Sequence, residues 1–143
     1  ALLAWTAATG TLGWPAVLIY AGGISWTLFY DTIYAHQDTE DDELIGVKST
    51  ARLFGADTAR WLKWFLIASV SLLAAGFVLA LGSTVNVLAL VVALGGVWAF
   101  GWHLAWQLRT LNIEDPARCL TLFRSNRDAG LIPVLFLAIA HFL

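Results

Sequence analysis

The charged side chains of this sequence are confined to two segments. All eight Lys and Arg and all ten Asp and Glu lie within Asp31–Lys63 or Arg109–Asp128, so residues 1–30, 64–108 and 129–143 carry none. Uncharged stretches of this length are typical of membrane-crossing helices, because an ionised side chain is costly in hydrocarbon. With 59% apolar residues, the sequence predicts an all-α, polytopic transmembrane helical bundle.

The uncharged stretches predict about four spans. As one helix, residues 64–108 would extend roughly 67 Å, against a hydrocarbon core of about 30 Å, so this stretch must turn back on itself. Its polar cluster from Gly82 to Asn86 predicts the turn, and Gly10, Gly13 and Pro15 predict an earlier break. The predicted spans are Trp14 to about Tyr30 or Tyr34, Trp64–Leu81, Val85–Leu108 and a short one at Ala129–Leu143, preceded by the tail of a truncated span at Ala1–Thr9.

This arrangement puts both charged segments on the same side of the membrane. All the Lys and Arg residues then share that side, which the positive-inside rule assigns to the cytoplasm or an equivalent compartment. The sequence has no Met, so we expect residues 1–143 to be an excerpt of a longer domain. Its single Cys allows no internal disulfide, and a net charge of −2 does not favour nucleic-acid binding. The expected surroundings are a lipid bilayer.

Six carboxylates lie within the 13 positions from Asp31 to Glu43, directly after a predicted span. If the helix continued through this stretch, three- and four-residue steps would put several of them on one face. Clustered carboxylates suit Mg²⁺, which binds through one or two protein carboxylates together with phosphate oxygens and water. The alternative is a solvated acidic loop. The residues sharing that helix face are Asp31, Tyr34, Asp38, Asp41 and Asp42.

Basic residues follow the acidic run closely. Lys48 and Arg52 come first, and Arg60 and Lys63 a little later. Acidic residues followed by basic ones suit an anionic ligand held partly through a metal ion, because Lys and Arg donate hydrogen bonds to phosphate. The alternative is ordinary charge beside a membrane, which we favour for Arg60 and Lys63. The Gly spacing of a nucleotide-binding loop is missing.

Tyr30 to Ala51 reads YDTIYAHQDTEDDELIGVKSTA. In the form YDTxYAxxDxxDDxxxGxKSTA, this stretch resembles the second aspartate-rich motif of the UbiA-type prenyltransferases, closest to the branch that acts on 4-hydroxybenzoate. A second stretch, Leu122 to Leu131, resembles the loop before the last helix of the same branch. The two stretches stand in the family's order, separated by two predicted spans, so the resemblance extends over essentially the whole chain.

The resemblance implies a helical membrane bundle around a central cavity, in which Mg²⁺ holds the diphosphate of a polyprenyl donor. It implies transfer of the polyprenyl group from polyprenyl diphosphate to the ring of 4-hydroxybenzoate in ubiquinone biosynthesis, at a bacterial or mitochondrial inner membrane. The family's first aspartate-rich motif would lie before Ala1, so the excerpt alone should have little activity. The residues implied are Asp31, Asp38 and Asp42 as catalytic; Asp38, Asp41 and Asp42 as metal ligands; and Tyr30, Tyr34, Lys48, Arg52, Arg124, Asn126 and Arg127 as substrate-binding.

Three alternatives remain open from the sequence. A UbiA-type enzyme acting on another ring acceptor, such as dihydroxynaphthoate, would share the motif. A cation transporter would be expected to carry acidic residues inside its spans, and a structural membrane subunit would show no metal dependence. The roles of two histidines are also open from the sequence. His36 either forms a hydrogen bond with a carboxylate or faces solvent, and His103 is either structural or a proton carrier.

Overall fold

The structure is a computed structural model, and it describes residues 2–37, 46 and 48–143. Within this part of the chain, all regular structure is helical. The α-helices are α1 (Leu2–Thr9), α2 (Trp14–Ala35), α3 (Thr50–Phe54), α4 (Thr58–Leu81), α5 (Val87–Thr110) and α6 (Pro116–His141), with a 3₁₀ turn at Gly55–Asp57 between α3 and α4.

Local sequence explains where the long helices begin. Pro15 occupies the first turn of α2, where its missing N–H costs nothing. The Asn86 side chain accepts a hydrogen bond from the Ala89 N–H at the start of α5. The Asp115 carboxylate accepts one from the Arg118 N–H at the start of α6. The predicted turn between Leu81 and Val87 is therefore confirmed, and Asn86 fixes its end.

Three segments are long and apolar enough to cross a membrane: Trp14–Ala35, Thr50–Leu81 and Val87–Thr110. The 24 residues of α5 extend roughly 36 Å, which exceeds a hydrocarbon core of about 30 Å. The helix α6 is long but more polar, because every 18-residue stretch of it includes Arg124, Arg127 and Asp128. The predicted all-α membrane bundle is confirmed.

One detail of the sequence interpretation is wrong. The stretch from Leu122 to Leu131 is not a loop before the last helix, because α6 begins at Pro116 and continues through it to His141. The predicted end of the first full span near Tyr34 is confirmed, because α2 ends at Ala35 with His36 as its C-cap, so α2 does not provide the continuous helix on which the shared acidic face depended. Asp31 and Tyr34 therefore lie on α2, whereas Asp38, Asp41 and Asp42 lie outside the described residues.

The four long helices form a closed arrangement in which each contacts two others: α2 packs on α4 and α6, and α5 packs on α4 and α6. Small residues bring α2 and α4 close together. A Cβ atom on Gly22 would lie 3.2 Å from the backbone oxygen of Ser69, and the Ser69 hydroxyl donates to the Gly22 carbonyl oxygen at 3.0 Å. Such contacts are typical of membrane helices, where close backbone approach replaces much of the hydrophobic driving force.

A buried apolar cluster fills the space among the four long helices. It includes fully buried aromatic rings from α2 and α5 and leucines from α4, α5 and α6. This cluster fixes how α2 and α6 face each other, and it therefore fixes the geometry of the site described next. Its largest members are Phe29, Ile33, Leu62, Phe100, Leu104 and Leu122.

Candidate functional site

One face of α2 carries three aromatic side chains at four-residue steps. Trp26, Tyr30 and Tyr34 follow one another at this spacing, which aligns side chains along a helix. The Trp26 and Tyr30 rings meet edge to face, with centroids 5.5 Å apart. Phe123 of α6 meets both tyrosines, at 5.8 Å from the Tyr30 ring and 4.6 Å from the Tyr34 ring. The neighbouring Phe29 points the other way and is completely buried in the core.

The indole of Trp26 is fixed by contacts with α6 and α5. Its Nε1–H donates to the Asn126 side-chain oxygen at 2.8 Å. The Asn126 side-chain NH₂ in turn donates to the Gln107 side-chain oxygen at 3.1 Å and to the Leu122 carbonyl oxygen at 3.0 Å. Gln107 is completely buried and Asn126 is 5% exposed. Because buried hydrogen bonds of this kind are costly to break, the chain of contacts holds the indole in one orientation.

A cavity of about 780 Å³ lies between α2 and α6. Its walls combine aromatic rings with two guanidinium groups, one carboxylate and the Asn126 amide. This volume falls within the range usual for small-molecule sites. We call it the polar cavity; it is lined by Trp26, Tyr30, Thr121, Phe123, Arg124, Ser125, Asn126, Arg127 and Asp128.

A second cavity, of about 540 Å³, is lined almost entirely by apolar groups of α2 with single residues of α4, α5 and α6. Only Trp26 and Tyr30 line both cavities among the described residues. We call this one the apolar cavity; it is lined by Ile19, Tyr20, Gly23, Ile24, Trp26, Thr27, Leu28, Tyr30, Leu73, Phe100 and Pro133. The two cavities together suit a ligand with polar and apolar parts.

The basic residues of α6 give the polar cavity its charge. Arg124 and Arg127 are both exposed and both line the cavity. Arg127 Nε lies 3.1 Å from a carboxylate oxygen of Asp128, with the two side chains 83% and 61% exposed, so this ion pair contributes little to stability. The predicted substrate-binding residues Arg124, Asn126 and Arg127 thus share one wall of the polar cavity. The side-chain amide of Asn126 is hydrogen-bonded to Trp26 and Gln107.

The other predicted site residues are less clustered. Asp31 is exposed on α2, directly after Tyr30. Lys48 is exposed before α3, and Arg52 is exposed within α3. Across the described residues, no group of three or more His, Cys, Asp or Glu side chains is arranged to hold a metal ion. The predicted metal ligands Asp38, Asp41 and Asp42 belong to the part of the chain that the structure does not describe.

His36, which immediately precedes the acidic motif's central residues, is buried. Its Nε2 lies 3.1 Å from the Thr58 hydroxyl oxygen, and that hydroxyl donates to the Gly55 carbonyl oxygen at 2.8 Å. Since the hydroxyl proton is already used, His36 Nε2 must be the donor to Thr58. Burial lowers the pKa of the His36 imidazole. His36 therefore joins the end of α2 to the start of α4 and does not face solvent.

Gln107 and Phe123 were missed by the sequence analysis. Gln107 is the only amide within the uncharged stretch 87–108, and a polar side chain inside a span is expected to find a partner within the bundle. The sequence thus indicated that Gln107 has a partner, but it did not indicate that the partner is Asn126 on α6. His103 has a structural contact as well, because its Nε2 lies 3.2 Å from the Ser125 hydroxyl oxygen.

Comparison with known families identifies the class of protein. The model of the UbiA prenyltransferase family matches residues 1–127, and the chain belongs to that family. Three curated relatives bear the name 4-hydroxybenzoate polyprenyltransferase, mitochondrial. The chain is 45% identical to the one from Aedes aegypti over 141 residues, 46% to the one from Bos taurus over 141 residues, and 45% to the one from Homo sapiens over 143 residues.

These alignments cover 97%, 97% and 99% of this chain but 30%, 35% and 36% of the respective relatives. The chain therefore spans about a third of the length of the curated relatives it matches. No solved structure matches it.

Proposed function

We propose that this chain is the C-terminal part of a membrane prenyltransferase that transfers a polyprenyl group from polyprenyl diphosphate to the ring of 4-hydroxybenzoate, in ubiquinone biosynthesis. The observation that carries the proposal is the identity of about 45% to relatives bearing that enzyme's name, over nearly the whole chain. The same names support residence in the mitochondrial inner membrane, with a bacterial inner membrane as the alternative. The charged segments would face the matrix or cytoplasm.

The polar cavity offers the groups that such an acceptor needs. A ring carrying a carboxylate can stack on Tyr30 and Phe123, while the guanidinium groups of Arg124 and Arg127 attract its negative charge. The aromatic face of α2 also suits a developing allylic cation, because ring faces attract positive charge by about 0.5–2 kcal/mol each. The apolar lining beside it supports exclusion of water from that cation.

We propose Mg²⁺ as the cofactor, because the acidic motif offers oxygen ligands for it. The carboxylates of Asp38, Asp41 and Asp42 are the hard oxygen ligands that Mg²⁺ prefers, and a bound Mg²⁺ would supply Lewis-acid stabilisation to a leaving diphosphate. Lys48 and Arg52 would hold the same diphosphate by hydrogen bonds. The preceding part of the full-length protein would contribute the family's other aspartate-rich motif.

The proposed reaction exchanges one bond for another. The C–O bond of the donor breaks, and diphosphate leaves with the electron pair. The ring carbon next to the acceptor hydroxyl then forms a C–C bond to the prenyl carbon, and the proton on that ring carbon must be removed. We assign Asp31 to orient the acceptor or to accept a proton from it, as the resemblance of its motif implies; its carboxylate is exposed on α2 and does not line the polar cavity.

The test uses the full-length protein in membranes, with 4-hydroxybenzoate, a polyprenyl diphosphate and Mg²⁺. Asp38→Asn and Asp42→Asn keep the side-chain size and remove the charge. Each should lower kcat/KM by about 100-fold or more, because metal stabilisation of the leaving group amounts to several kcal/mol. The half-saturating Mg²⁺ concentration should also rise.

Glu114→Gln is the matched control, since Glu114 is an exposed carboxylate of the other charged segment. It should leave both kcat/KM and the Mg²⁺ requirement unchanged. Full transfer by both Asp variants would overturn the metal assignment. No transfer to 4-hydroxybenzoate by the well-expressed wild type would overturn the proposed reaction.

A further inference from the structure

The indole of Trp26, which lines both cavities, is held at both ends. One end of the indole is held by the hydrogen bond from Nε1–H to Asn126. The other end lies against Gly130, one helical turn further along α6, where an added Cβ atom would be 2.6 Å from the Trp26 Cη2 atom. The indole therefore lies along α6, and only a residue without a side chain leaves room for its six-membered ring.

Two further contacts limit the remaining movement of the indole. The ring of Phe100 on α5 meets it edge to face at a centroid distance of 5.3 Å, and Tyr30 meets it in the same manner. Asn126 is itself held by Gln107 and by two carbonyl groups of α6. Moving the ring would break the partly buried hydrogen bond to Asn126 or crowd the buried ring of Phe100, and either change is costly.

We propose that Trp26 determines acceptor size in the reaction proposed above. Together with Tyr30 the indole lines both cavities, so it forms part of the wall that limits how large a ring system can lie beside Arg124 and Arg127. Its fixed orientation matters because a mobile side chain could move aside for a larger acceptor. The inference rests on the proposed function, since it specifies which aromatic acid that site accepts.

The discriminating experiment compares two acceptors with one donor. Full-length protein in membranes is supplied with geranyl diphosphate and either 4-hydroxybenzoate, which has one ring, or 1,4-dihydroxy-2-naphthoate, which has two fused rings. The measured quantity is the ratio of the two kcat/KM values. This ratio is independent of the amount of folded enzyme, so a loss of stability alone does not change it.

Trp26→Leu should raise the ratio in favour of the two-ring acceptor by about tenfold or more, which is the scale on which apolar pockets discriminate by size. The matched control is Trp98→Leu, which makes the same change at a residue 70% exposed on α5 and should leave the ratio unchanged. An unchanged ratio in an active Trp26→Leu enzyme would overturn the inference and leave the proposed function intact.

Gly130→Ala provides a second test that alters no residue lining either cavity. Its methyl group would push the indole out of its position, so the ratio should shift in the same direction as in Trp26→Leu. Gly95→Ala is the control, because its added Cβ would make only an ordinary 3.4 Å contact with the Phe136 ring. A Gly130→Ala enzyme with the wild-type ratio would contradict a fixed indole. A wild type that uses neither acceptor would instead count against the proposed function.

Discussion

His36 and Thr58 are 22 positions apart in the sequence but share a buried hydrogen bond in the folded protein. Both side chains are buried, and the Thr58 hydroxyl bonds His36 and Gly55 at once. One hydroxyl therefore bonds both the buried His36 imidazole and the Gly55 carbonyl group, which come from either side of the acidic segment. A loss of this hydroxyl leaves both groups without that partner, which is more costly than the loss of one surface hydrogen bond.

Thr58→Val should lower the free energy of unfolding by about 1–3 kcal/mol, because it keeps the side-chain shape and removes the hydroxyl. The measurement is thermal unfolding of the purified protein in detergent. Thr121→Val serves as the control: Thr121 is exposed, and its hydroxyl bonds only a carbonyl group of its own helix. Equal stability of the two variants would show that the His36–Thr58 contact contributes nothing measurable.

At the scale of helices, the sequence predicted elements well where the signal was local. The polar run from Gly82 to Asn86 sets the turn between α4 and α5, and Gly10, Gly13 and Pro15 set the break between α1 and α2. The predicted start of the last helix was wrong, because the charged residues of its first half were interpreted as a loop. Its buried residues nevertheless recur at three- and four-residue steps, which is the pattern of an amphipathic helix. These residues are Cys119, Leu122, Asn126 and Ala129.

The candidate site was predicted less completely than the helices. The contact from Trp26 to Asn126 joins residues 100 positions apart, and the bond from Asn126 to Gln107 crosses from α6 to α5. Helix propensity and the periodicity within one helix do not predict which residues of different helices will be in contact. The role of Gly130 depends on the same packing, because its missing side chain matters only once the indole lies against it.

The close approach of α2 and α4 predicts different effects on stability for substitutions at two neighbouring glycines of α2. Gly22→Ala should lower the free energy of unfolding by about 1–3 kcal/mol, because its Cβ would meet Leu73 Cγ at 3.0 Å and Leu73 N at 3.2 Å. Gly23→Ala should be neutral or stabilising by up to about 1 kcal/mol, since no atom lies within 4 Å of its added Cβ and Ala favours a helix. Thermal unfolding in detergent measures both; equal destabilisation would contradict the packing described.

For the whole molecule, the order of the helices predicts a two-sided topology. With α4 and α5 as membrane spans, the segment before α4 and the one between α5 and α6 should lie on one side of the membrane, and the turn between α4 and α5 on the other. This follows because α4 and α5 each cross once, in opposite directions. The positive-inside rule then orients the molecule, since every Lys and Arg lies in the two charged segments.

Single cysteines in a Cys119→Ala background test this topology. With a membrane-impermeant maleimide on sealed vesicles, Ala56→Cys and Glu114→Cys should label from the same side, and Ser83→Cys only from the opposite side. All three positions are exposed, so burial does not limit the reaction. Detergent-solubilised protein, in which all three should react, is the control. Labelling of Ser83→Cys and Glu114→Cys from one side would contradict the order of crossings.

The buried contact between His36 and Thr58 also has an entropic consequence for the carboxylates that lie between them in the sequence. Bringing together two points of a flexible chain 22 positions apart costs about 3 kcal/mol, by the logarithmic dependence on loop length. In the folded protein this closure is already complete before any ligand arrives. A cation bound by the proposed ligands Asp38, Asp41 and Asp42 would therefore not have to supply this closure, so more of its binding free energy would remain available as affinity.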